Sequence, residues 1–194
     1  MKSTNLNKAT LRKADEKILV GGVYLHVYNR GVSGQPIFAS DDNFHFLLRR
    51  LKKYETEFPI IVLAYCLMPT HYHFLIEAVN RNHVSRFIQK LFNSYSQAYN
   101  KQRARTGTLF QGRAKFKVIT TDEYAIELCS YIHLNPVKAG LVNQPGEWKY
   151  SNYAEWVNQE TNSEGNPVLR FFDSAGEYEQ YVVQALRRVE MEQG

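Results

Sequence analysis

The chain has 194 residues, 44% of them hydrophobic, with 24 basic against 19 acidic side chains and a formal charge of +5. That length and apolar content support one sizeable core and exclude a disordered chain, while the positive balance favours a polyanionic partner without requiring one. No window approaches the roughly 18 apolar residues of a membrane span. Cys66 and Cys129 stand alone in apolar stretches, which excludes a disulfide framework, so the expectation is a cytoplasmic, nucleoid-associated protein that does not engage membranes.

Residues 1–17 are polar and aperiodic, predicting a flexible arm ahead of a domain over 18–156 and a C-terminal loop and helical extension over 157–194. Val23–Asn29 is rich in β-formers and predicts a first strand, and Gly31–Pro36 a loop. From Asp41, the spacing of Phe44, Leu47, Leu48 and Leu51 predicts a helix that Phe58-Pro59 ends. Ile60–Leu67 reads as a buried strand, Pro69-Thr70 as a tight connection, and His71–Val79 as the second arm of a hairpin. Val84–Gln102 is an amphipathic helix with Val84, Phe87, Ile88, Leu91 and Phe92 inward.

Arg103, Arg105, Arg113, Lys115 and Lys117 then interleave with Phe110 and Phe116 on the way into a strand at 116–120, a mixture suited to phosphate contacts and base stacking on DNA. Asp122 opens a further helix, which Pro136 is expected to stop with Asn135 at or just beyond its end. Trp148–Trp156 predicts an aromatic edge element, Asn158–Asn166 a polar loop and Phe171–Met191 a last helix. The order β-α-β-β-α-β-α predicts an α+β fold, a ferredoxin-like antiparallel sheet with helices on one face.

His71 and His73 flank one residue in a predicted strand, so both rings leave the same face about 7 Å apart along the chain. Tyr131 and Asn135, four apart on a predicted helix, share one side of it. Two imidazoles and one side-chain oxygen make an open three-ligand metal site, suited to activating a phosphodiester. Tyrosine, with an ordinary pKa near 10, needs such help to act as a nucleophile. Glu77 falls on the same strand face, where exposure at the strand end is expected, and the spacing of Tyr95 and Tyr99 predicts helix-face packing. His26, His45, His83 and His133 are read as structural.

Leu67-Met68-Pro69-Thr70-His71-Tyr72-His73-Phe74-Leu75-Ile76 and the later Tyr131-Ile132-His133-Leu134-Asn135-Pro136-Val137-Lys138-Ala139-Gly140-Leu141-Val142 resemble the signature of single-tyrosine HUH transposases, and more closely the REP-associated tyrosine transposases. Gly107–Arg113 and Trp148–Tyr153 add to the resemblance, which spans residues 20–156. It implies a ferredoxin-like nuclease that cuts single-stranded DNA near hairpins. By the same resemblance His71 and His73 match the metal-binding pair, Asn135 the residue completing the site around Mg²⁺ or Mn²⁺, and Tyr131 the nucleophile. The implied reaction is transesterification through a 5′-phosphotyrosine, without ATP. Relatives include dimers and monomers, leaving both open here. The competing readings are a non-catalytic hairpin DNA-binding protein or repressor, and a metal phosphohydrolase in which Tyr131 is structural.

Overall fold

The structure, a computed structural model, describes residues 22–158 and 170–193, with side chains described as far as Arg188 in the last helix. The expected arm over 1–17 and most of the loop over 158–166 lie outside the described residues. The elements are β1 (Val23–Arg30), α1 (Asp41–Glu55), β2 (Ile60–Met68), β3 (His71–Ala78), α2 (Arg81–Gln102), β4 (Lys115–Ile119), α3 (Asp122–Lys138), α4 (Tyr153–Val157) and α5 (Ala175–Gln193). Each predicted strand and helix is present. α2 starts three residues earlier than its apolar spacing indicates, because the Asn80 side chain caps it, accepting from the amides of Asn82 at 2.9 Å and His83 at 3.4 Å.

The four strands form one sheet in the order β2-β3-β1-β4, with every neighbouring pair antiparallel, which is the ferredoxin-like arrangement expected. Alternation then divides the strands into two faces. Leu25, Val27, Tyr72, Phe74 and Ile76 join Phe44, Leu47, Phe87 and Leu91 in a core under α1 and α2. Leu63, Cys66, Leu75 and Ile119 join Leu128, Ile132, Trp156, Tyr178 and Val182 in a second core under α3, α4 and α5. The helices therefore cover both faces rather than one. The physical reason is that the second face also carries large apolar side chains, whose exposure would forfeit about 1.5–3 kcal/mol each.

A second departure concerns α3, which continues through Pro136 to Lys138 instead of ending before it. Proline in a helix interior typically costs about 3 kcal/mol through its missing amide hydrogen and its clash with the preceding turn. Burial of Ile132 and Leu134 in the preceding turn, and of Pro136 itself, holds the helix together, and the turn closes with Ala139 N–H on Asn135 O at 3.0 Å and Leu141 N–H on Pro136 O at 2.9 Å. Asn135 is thus helical, one turn beyond Tyr131.

The loop after β1 braces the β2–β3 turn. Gly31 N–H donates to Thr70 O at 2.8 Å, and the Ile37 and Phe38 amides donate to Pro69 O at 2.8 and 3.1 Å. A β-carbon on Gly31 would collide with the Gln35 backbone carbonyl. Gly31→Ala is therefore expected to destabilise the protein by about 1–3 kcal/mol, as overpacking does. The check is the urea midpoint, which should fall with the slope unchanged.

Candidate functional site

His71 opens β3 directly after the braced turn, and His73 follows on the same face, their ring centroids 5.2 Å apart and nearly perpendicular. Each ring has a partner at Nδ1: Thr70 Oγ1 lies 3.0 Å from that of His71, and His26 Nε2 lies 3.0 Å from that of His73. Desolvation lowers the basicity of all three histidines. His73 falls to about 3, with His26 and His71 adding repulsion, and His26 to about 4, with Lys117 adding to the effect. His71 also falls, opposed by a hydrogen bond with the Asn135 side chain. Neutral imidazole is the form that ligates metals.

α3 carries the other half. The Tyr131 ring meets His73 edge-on at 5.8 Å between centroids, within the same chain, and the side chain is 40% exposed. Asn135 uses its amide nitrogen to donate to Tyr131 O at 2.8 Å, and its side chain is also a hydrogen-bonding neighbour of His71. His71, His73, Asn135 and Tyr131 therefore converge. Among the described residues no three His, Cys, Asp or Glu side chains gather as a metal cluster, and the donors that meet here are two imidazoles and one side-chain amide. Neutral rings oriented through Nδ1, with a side-chain amide beside them, fit Mg²⁺ or, with more nitrogen character, Mn²⁺.

The five basic residues expected to contact DNA separate. Lys115 and Lys117 pair with Tyr28 and His26 across β1 and β4, so they share the histidine face. Lys115 Nζ lies 5.8 Å from the Tyr28 ring centroid, and Lys117 donates to the Tyr124 hydroxyl at 2.6 Å. Arg113 is exposed beside a segment tied to the end of β1 through Asn29 Nδ2 on Gly112 O at 3.2 Å. Arg103 and Arg105 follow α2, on the opposite layer, where Arg105 donates to Thr108 O at 3.3 Å. Phe110 does not present a free stacking surface, because it packs on Tyr72 and Phe92 at centroid distances of 5.8 and 5.1 Å. Phe116 is half-buried under Arg81.

Glu77 is not exposed at a strand end; it is buried and ion-paired to Arg170. Tyr95 and Tyr99 pack as expected, donating to the carbonyls of Ile37 and Pro36. His26 and Lys138 escaped sequence reasoning. His26 looks like any strand histidine until the β1–β3 register sets it beside His73, and Lys138 reaches to 4.9 Å from the Tyr131 ring centroid only because α3 runs past Pro136.

His133, two residues after Tyr131, is fully buried and structural as read. Its Nδ1 lies 2.6 Å from the Tyr178 hydroxyl and its Nε2 3.0 Å from Asn152 Oδ1. Asn152 continues to the edge of β2, accepting from Tyr65 N–H at 2.8 Å and donating to Leu63 O at 3.0 Å. This relay fastens α3 to α5 and to the sheet.

Residues 21–135 match the family described as IS200-like transposases. Over 128 residues the chain is 27% identical to a Haemophilus influenzae protein assigned as a REP-associated tyrosine transposase, covering 58% of this chain and 72% of that one. A solved REP-associated tyrosine transposase bound to a REP hairpin shares the fold, with a TM-score of 0.60 at 17% identity over 75% of this chain and 90% of that one.

Replacing His133 with leucine leaves the Tyr178 hydroxyl without its partner inside the second core, while Asn152 keeps Tyr65 N–H and Leu63 O. The expected loss is about 1–3 kcal/mol for the polar group stranded. Chemical denaturation of His133→Leu against the parent measures it.

Proposed function

The chain belongs to the IS200-like transposase family, and on that premise we propose that it cleaves and rejoins single-stranded DNA through Tyr131, beside hairpins of repeated sequence. The observation that carries this reading is the meeting of Tyr131 with His73, and of Asn135 with His71, within one chain. The hairpin as target rests on likeness to a REP-associated relative and to a structure of such a protein bound to a REP hairpin.

His71, His73 and Asn135 would hold Mg²⁺ or Mn²⁺, which when bound polarises the phosphate and offsets the charge that develops on it. The chain's own residues do the rest. His26, bonded to His73 Nδ1, keeps that ring in one orientation and leaves Nε2 facing the site. The Tyr131 hydroxyl oxygen attacks phosphorus as the bond to the 3′-oxygen breaks, giving a 5′-phosphotyrosine. The phenol proton ends on the released 3′-hydroxyl. Since one phosphodiester replaces another, no ATP is consumed, and the 3′-hydroxyl of a strand can reverse the step. Lys138 beside the tyrosine ring, and Lys115 and Lys117 on the same sheet face, supply positive charge along the strand.

With a pool of hairpin oligonucleotides carrying single-stranded flanks, the expected result is a covalent protein–DNA adduct seen by denaturing electrophoresis in Mg²⁺ or Mn²⁺. Tyr131→Phe should abolish it and leave binding unchanged, and His71→Ala and His73→Ala should each remove metal-dependent cleavage. Binding without any adduct in either metal would favour a non-catalytic hairpin-binding protein. His26→Ala should weaken Mn²⁺ binding by about 10–100-fold, the usual effect of losing a group that orients a ligand, as calorimetry would register.

A further inference from the structure

Beside Tyr131, α3 and α5 flank an open cleft of about 220 Å³. From α3 come Tyr131, Leu134 and Lys138, with Glu127 one turn earlier; from α5 come Tyr181, Ala185 and Arg188. The α5 residues recur at i, i+4 and i+7, so they form one stripe next to the stripe of Tyr178, Val182 and Leu186 that is buried in the second core. The same docking that anchors α5 thus presents a second row of its side chains to Tyr131.

We propose that this cleft receives one unpaired nucleotide of the DNA strand, adjacent to the phosphate that Tyr131 attacks; the proposal rests on the reading of Tyr131 as nucleophile. Its volume is below the roughly 300–1,000 Å³ of pockets for drug-sized molecules, which suits a single base. Ala185, over the buried Leu134, makes the apolar part of the cleft, and Tyr181, whose ring also packs on Phe172 at 5.6 Å between centroids, makes an aromatic wall of the kind on which bases stack. Lys138 and Arg188 bring two positive charges for backbone phosphate. Glu127 brings a carboxylate, which repels phosphate but accepts from the exocyclic amine of a base. A nucleotide offers the counterpart of each group. Continuity fixes the placement, since Tyr131 is the wall shared by the cleft and the histidine pair. The C-terminal helix, beyond the 21–135 span of the family match, becomes part of the substrate site.

The test uses the full chain carrying Tyr131→Phe, so that bound DNA stays intact, and hairpin oligonucleotides whose mixed-sequence single-stranded flanks contain 5-iododeoxycytidine. Irradiation should crosslink the flank to the peptide containing Tyr181. That crosslink should disappear in Tyr181→Leu, and also in Ala185→Trp, which fills the cleft, while crosslinks to β4 persist and report a folded, DNA-bound protein. Lys138→Gln and Arg188→Gln should each lower the slope of log affinity against log salt by about 0.7, the value for one contact to a single strand. Flank crosslinks confined to β4, or salt slopes unchanged in both variants, overturn the proposal. The adduct assay on the protein with Tyr131 intact separates the two readings. An adduct without a crosslink to α5 overturns the cleft alone, and a crosslink to α5 without an adduct overturns the chemistry alone.

Discussion

The docking of α3 across the sheet face that carries His71 and His73 is the contact on which the candidate site depends. Apolar burial of Ala125, Leu128, Ile132 and Leu134 holds the helix against the sheet, but burial is non-directional and would tolerate sliding. The relay from Tyr178 through His133 to Asn152, and from Asn152 to the backbone of β2, is directional. Breaking it strands polar groups away from water, so α3 has one favoured position. Tyr131 and Asn135 inherit that position because they lie on the same helix.

The relay also solves a problem of the sheet. β2 is an edge strand, and its outer amides and carbonyls need partners. The 148–156 segment supplies them: Tyr150 O accepts from Leu67 N–H at 2.9 Å, Trp148 Nε1 donates to Leu67 O at 3.0 Å, and Trp156 Nε1 donates to Leu63 O at 2.9 Å. Groups that close an edge thereby secure the helix that carries Tyr131.

On the opposite layer a parallel chain of contacts reaches His71. Tyr95 and Tyr99 of α2 donate to the carbonyls of Ile37 and Pro36; the amides of Ile37 and Phe38 hold Pro69 O; and Thr70 holds His71 Nδ1. The α1–α2 layer thus orients one histidine, and β1, through His26, orients the other. Burial lowers the basicity of both imidazoles, which favours their neutral form without help from a nearby acid.

Local patterns in the sequence were sufficient for the strands, for the helices, for the pairing of His71 with His73 and for that of Tyr131 with Asn135. Each depends only on periods of two or 3.6 residues, which operate within one element. What joins the elements was not legible. Helices on both faces, the continuation of α3 through Pro136, the arrival of His26 at His73 and the separation of Lys115 and Lys117 from Arg103 and Arg105 all follow from strand register and from which layer a helix joins. Those are pairings between residues distant in the chain, decided by competition for buried surface and hydrogen-bond partners. His71-Tyr72-His73 could be read as half a site from its spacing, whereas only the tertiary fold could bring Tyr131 against it.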